Sequence, residues 1–80
     1  MVKTHEINLS VSKFNQFTNN NYIIMEQNNI EVNDYILFKQ IEIVEEETRE
    51  TGLYRLAQVT NIIEDPGLKD NYVLLTLNKL

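Results

Sequence analysis

The chain contains no cysteine. Disulfides, thiolate nucleophiles and cysteine-type zinc sites are therefore excluded, and a small disulfide-free domain suits a reducing cytoplasm, the expected location. Basic residues are few as well: seven Lys and Arg stand against twelve Asp and Glu, for a formal charge of −5 and a pI near 4.7. That sign opposes a grip on nucleic acid through phosphates alone, although charge can segregate into a local basic groove. Long apolar runs are missing: none approaches the roughly 18 residues that span a bilayer, so no membrane partner is expected. Near the start, Lys3, His5 and Glu6 stand where a signal peptide needs an apolar run. No repeat, low-complexity tract or linker interrupts the sequence, and residues 1–80 read as one domain. A composition 42% hydrophobic and 24% charged argues for a folded one.

What is present is mostly strand pattern. Residues 3–9 alternate, with Lys3, His5, Ile7 and Leu9 on one face, the half-buried signature of a strand. Ser10 and Ser12 are candidate helix N-caps. Val11, Phe14 and Phe17 then recur at helical spacing, so a short helix should cover the core and end at Asn19-Asn20-Asn21, where asparagine tolerates a left-handed terminus. Tyr22–Glu26 is apolar on both faces and reads as a strand buried on both sides. Turn-prone Asn28-Asn29 and Asn33-Asp34 follow. A long strand is expected over 34–44, with Ile41 and Ile43 inward and Gln40 and Glu42 outward. Carried back, that parity turns Lys39 inward, unless a bulge near Phe38–Gln40 resets the register.

Residues 45–52, rich in glutamate and closed by Gly52, read as a solvated acidic hairpin loop. Further strands are expected over 53–64 and 72–77, separated by the turn Asp65-Pro66-Gly67. The order β-α-β-β-β-β describes a mainly β (α+β) fold, and a partly closed barrel of about five strands with one helix at an end is its economical form. No metal site is expected: adjacent glutamates in a loop do not preorganise oxygen ligands, and a single histidine without cysteine makes no common zinc site. Ser10 or Ser12 with His5 and Asp34 form no recognisable triad motif.

The order and spacing of several short motifs resemble the ASCH (activating signal cointegrator homology) domain of the PUA-like superfamily, in its short bacterial and phage branch. Lys3-Thr4-His5-Glu6-Ile7 is similar to the opening strand, and Phe14 and Phe17 to the helix. Val32-Asn33-Asp34 before Tyr35–Phe38 is similar to a Val-Gly-Asp element and its strand. Thr51-Gly52, Val59-Thr60-x-Ile62, Gly67-Leu68 and Tyr72–Leu75 look like the rest. The resemblance implies a small PUA-like barrel and a non-catalytic module that binds RNA or a nucleotide in a cleft. The alternative is a regulatory barrel that binds a protein partner. Lys3, His5, Lys13, Lys39 and Arg55 are the candidate polar contacts, and Tyr22 and Tyr54 the candidate stacking rings. The family's Gly-x-Lys-x-x-Glu-x-Arg signature falls on Thr18, Asn20, Ile23 and Met25. Some ASCH-like proteins are amidohydrolases that act on acylated cytidine through a lysine. Asn20 stands at that position, so neither catalysis nor a cofactor is expected.

Overall fold

The computed structural model of the protein describes residues 2–27 and 29–80. Its elements keep the expected order: β1 (Thr4–Ser10), α1 (Val11–Asn19), β2 (Tyr22–Glu26), β3 (Tyr35–Val44), β4 (Glu47–Ile63) and β5 (Tyr72–Lys79). The five strands form one mixed sheet in the order β1-β3-β4-β5-β2. β1 runs parallel to β3; the remaining neighbours are antiparallel. No ladder joins β1 to β2, so the sheet stays open where a barrel would close.

One face of this sheet is the core. Ile23 of β2, Ile36 and Phe38 of β3, Ala57 and Val59 of β4, and Val73, Leu75 and Leu77 of β5 are buried there. Each large side chain so buried contributes about 1.5–3 kcal/mol. The helix adds Phe14 and Phe17, three residues apart and therefore on one side. Phe17 stacks tilted on Phe38, with centroids 4.4 Å apart. Ser10 caps the helix, its Oγ accepting the Lys13 N–H at 3.2 Å. The C-terminus differs from expectation. Asn20 is extended (φ −132°) rather than left-handed, and ends the helix by donating its side-chain amide to the Gln16 carbonyl at 2.8 Å.

Three further expectations are corrected. β2 is an edge strand, so only Ile23 is buried while Tyr22 and Ile24 on its other face are exposed. In β3 the parity is reversed: Ile36, Phe38 and Gln40 point inward, and Ile43 is 74% exposed. The reason lies in β4. Lys39 pairs with Tyr54 but Ile41 pairs with Glu50, so Thr51, Gly52 and Leu53 bulge from β4 while β3 keeps its pleat. Gly52 takes φ 93° in that bulge. The buried Gln40 amide is satisfied there, its Oε1 accepting from Thr51 Oγ1 at 2.7 Å. Finally, residues 45–52 are not a loop: Val44 pairs with Glu47, and the reversal is Glu45-Glu46 alone. Of the pair Asn28-Asn29, Asn28 lies outside the described residues, and Asn29 has φ 59°.

Glu45 and Glu46 have φ of 52° and 66°. Two successive positive φ values suit a type I′ hairpin turn, which favours Asn-Gly; a left-handed residue with a Cβ costs about 1–2 kcal/mol. Replacing the pair by Glu45→Asn with Glu46→Gly should therefore stabilise the domain by about 1 kcal/mol, read as a Tm rise of about 4–8 °C. An unchanged or lower Tm speaks against this turn.

Candidate functional site

The seven candidate residues do not gather in one groove; six fall in pairs at three places, and Arg55 stands apart. Lys3 and His5 belong to a knot at the start of β1. Its centre is Asp34, only 1% exposed, which a carboxylate tolerates only when its oxygens are hydrogen-bonded. Oδ1 accepts the Lys3 backbone N–H at 3.1 Å. Oδ2 accepts the Glu31 backbone N–H at 3.0 Å and faces His5 Nε2 at 2.8 Å. Because the ionised carboxylate only accepts, Nε2 carries the hydrogen. The turn that aims Asp34 inward has Asn33 at φ 79°, the position of a type II turn that requires Gly or Asn. This accounts for Asn33 where the resembling element has glycine. Lys3 contributes its backbone, not its ammonium, and His5 is a partner of Asp34. Ser10, five residues along β1 or about 16 Å from His5, caps the helix, so Ser10, His5 and Asp34 are not a triad.

Lys39 and Tyr54 meet on the outer face of the sheet, beside the β4 bulge, around a cavity of about 290 Å³ that Glu50, Gly52 and Leu53 complete. Lys39 Nζ lies 3.4 Å from Glu50 Oε1 and 3.6 Å from Glu6 Oε1. Hydrogen bonding to Glu50 and the charges of both carboxylates hold this ammonium above the ordinary lysine range. Lys39 therefore lies outward at this shallow cavity rather than on the inner face, and it is already neutralised as a phosphate contact. Arg55, next to Tyr54 in β4, points to the opposite face, is exposed and makes no ion pair among the described residues.

Lys13 and Tyr22 do converge. Lys13, Gln16, Phe17 and Asn20 recur at i, i+3, i+4 and i+7, so one side of α1 faces Tyr22, Ile23 and Ile24 of β2 across a cavity of about 330 Å³. Phe17, fully buried, forms its floor. Lys13 Nζ reaches the Ile24 carbonyl at 3.3 Å. Gln16 was not among the expected contacts; its place in the helical repeat with Lys13 and Phe17 is the signal that marks it. Of the four signature positions, Asn20 and Ile23 line this cleft, whereas Met25 packs against the core. The larger hollow of about 500 Å³ beside the loop after β4 holds none of the seven candidates and is edged by Glu64, Asp65 and Asp70.

Among the described residues no three His, Asp or Glu side chains are placed to hold a metal ion, and no helix is long and apolar enough to cross a membrane. No protein-family model matches the chain, and no curated protein matches it.

The knot has a pH signature. Hydrogen bonds from His5 first, then from the backbone of Glu31 and Lys3, lower the Asp34 carboxyl from 3.8 to about 2. A folded pKa below the unfolded one contributes stability that is complete above the unfolded value and lost as pH falls through the folded one. Stability should thus hold down to about pH 4 and fall between pH 4 and pH 2. In Asp34→Asn, Tm should be lower at neutral pH and its acid limb flatter. An acid limb identical to that of the parent chain would count against Asp34 as its source.

Proposed function

We propose that this chain is a non-catalytic binding module of the PUA-like, ASCH type, and that its ligand is a nucleotide or a short unpaired RNA segment held between α1 and β2. The observation that carries this reading is the convergence of Lys13, Gln16, Asn20 and Tyr22 over the Phe17 floor. The Tyr22 ring offers a stacking surface, the Gln16 and Asn20 amides can both donate to and accept from a base edge, and Lys13 supplies one cation for a phosphate. Stacking needs a base free of its own helix, so the ligand is single-stranded. The net charge limits the phosphate contribution, and binding rests mainly on the base. A cytoplasmic setting fits such a ligand and a chain without cysteine. A protein partner is the second reading, favoured by the two unpaired edge strands.

With only one or two phosphates neutralised, affinity for a short single-stranded RNA should fall with salt at a log–log slope of only about −0.7 to −1.4. Tyr22→Ala should weaken binding by about 1–3 kcal/mol, the worth of one stacked base. Lys13→Ala should flatten the salt slope by about 0.7. Both residues are exposed, so Tm should hardly move. Fluorescence anisotropy against labelled oligonucleotides at several salt concentrations measures all three. Absence of binding at low salt would retire the nucleotide reading.

A further inference from the structure

We infer that the open seam between β1 and β2 is a slot for one extended peptide strand from a partner protein. The inference does not rest on the nucleotide reading, although the seam shares Lys13, Ile23 and Ile24 with the cleft beside α1. Successive pairings set the strand directions: β1 and β3 run one way, β4 the other, β5 with β3, and β2 against β5. Across the seam, β1 and β2 are therefore antiparallel. They face a common cavity of about 300 Å³, yet no Cα of one lies within 8 Å of a Cα of the other. Hydrogen-bonded strands stand about 4.8 Å apart and second neighbours about 9–10 Å. The seam is therefore too wide for β1 and β2 to pair, and a strand laid in it would meet an unpaired edge on either side.

The backbone chemistry agrees. Lys3 turns its carbonyl to β3, accepting from Tyr35 N–H at 2.8 Å, so the odd residues of β1 face β3 and Glu6 and Asn8 face the seam. In β2, Asn21 and Gln27 bond to β5, which turns Tyr22, Ile24 and Glu26 toward the seam. The Lys13 ammonium on the Ile24 carbonyl stands where a neighbouring strand would place an N–H. Lysine on an exposed edge also guards it against indiscriminate pairing.

The side chains select the occupant. Ile7, Leu9, Ile23 and Met25 line the inner wall, so the strand should carry apolar residues at alternate positions. Lys13 and Glu26 also line the cavity, and neither has an ion-pair partner among the described residues. Glu26 lies two residues, about 7 Å, along β2 from the carbonyl that Lys13 holds. A strand with a cation beside Glu26 and, two residues further on, an anion beside Lys13 matches both charges. It runs antiparallel to β2 and parallel to β1. A second copy of the chain does not fit: its own edge strands are attached to a sheet and face their own seam, and cannot be inserted as a single free strand.

The test uses the capped peptide acetyl-Val-Arg-Val-Glu-Val-amide, whose charges are two residues apart, at millimolar concentration, followed by amide hydrogen exchange and NMR shifts. Exchange of the Asn8 and Ile24 amides should slow by about tenfold or more on addition, the effect of one backbone hydrogen bond. The same peptide with N-methylated valines should not bind, and the reversed sequence should bind more weakly. Glu26→Lys should abolish the preference between the forward and reversed peptides, and Glu26→Lys combined with Lys13→Glu should invert it. Equal effects from the N-methylated peptide, or no slowing with any peptide, would overturn the inference. So would slowing that grows with protein concentration alone, which would assign the seam to a second copy. None of these outcomes bears on whether nucleotides bind.

Discussion

The fold depends on how the buried carboxylate of Asp34 is satisfied. A charge this deep persists only with hydrogen bonds to its oxygens, and they come from two separate segments: the backbone and imidazole at the start of β1, and the turn before β3. The Asp34 main chain extends the same knot to β4, its carbonyl accepting the Val59 N–H at 2.8 Å. Three strands are thereby fixed at one point. The parallel pairing of β1 with β3 begins beside it. Since β1 is committed to β3 and β2 pairs with β5, the sheet must end on two strands that face one another without pairing.

Electrostatics then decides what the surface offers. His5 is held by Asp34, and Lys39 by Glu6 and Glu50. Lys79 donates to the Thr18 carbonyl at 2.6 Å above the Phe17 ring. Lys13 is bound only to a strand carbonyl, where the cleft beside α1 and the seam adjoin, and Arg55 is exposed away from both. An acidic chain whose cations are few and scattered is suited to ligands recognised by stacking, backbone pairing or apolar fit, and unsuited to one gripped through many phosphates.

Much of this order was legible in the residues. The alternation of β1 and β5, the Phe14–Phe17 face of α1 and the Asp65-Pro66-Gly67 turn each follow from local spacing, and local spacing sets them. What was not legible depends on partners distant in the chain. Gln40 reads as an outward polar residue until Thr51 meets it inside the β4 bulge. Ile43 reads as core until the hairpin carries it beyond the core. Lys39 looks like a free cation until residues 6 and 50 arrive on either side of it. Tyr22–Met25, apolar throughout, does not reveal from its own composition that it lies at a sheet edge. Of the expected contacts, Lys13 and Tyr22 share one cavity, because one side of a helix and the adjoining strand place them there, and Lys39 and Tyr54 share another, as cross-strand partners beside the β4 bulge.

The central claim is that the knot at Asp34 leaves β1 and β2 facing across an unfilled strand position. Cross-strand nuclear Overhauser effects in the free protein test it most directly, because paired antiparallel strands bring Hα protons into close contact. The account predicts no Hα–Hα or amide cross-peaks between residues 4–10 and residues 22–26, beside clear ones from Ile23 to Leu75 and its neighbours on β5. Cross-peaks linking Ile7, Asn8 or Leu9 with Ile23, Ile24 or Met25 would show the seam closed in solution and would contradict it.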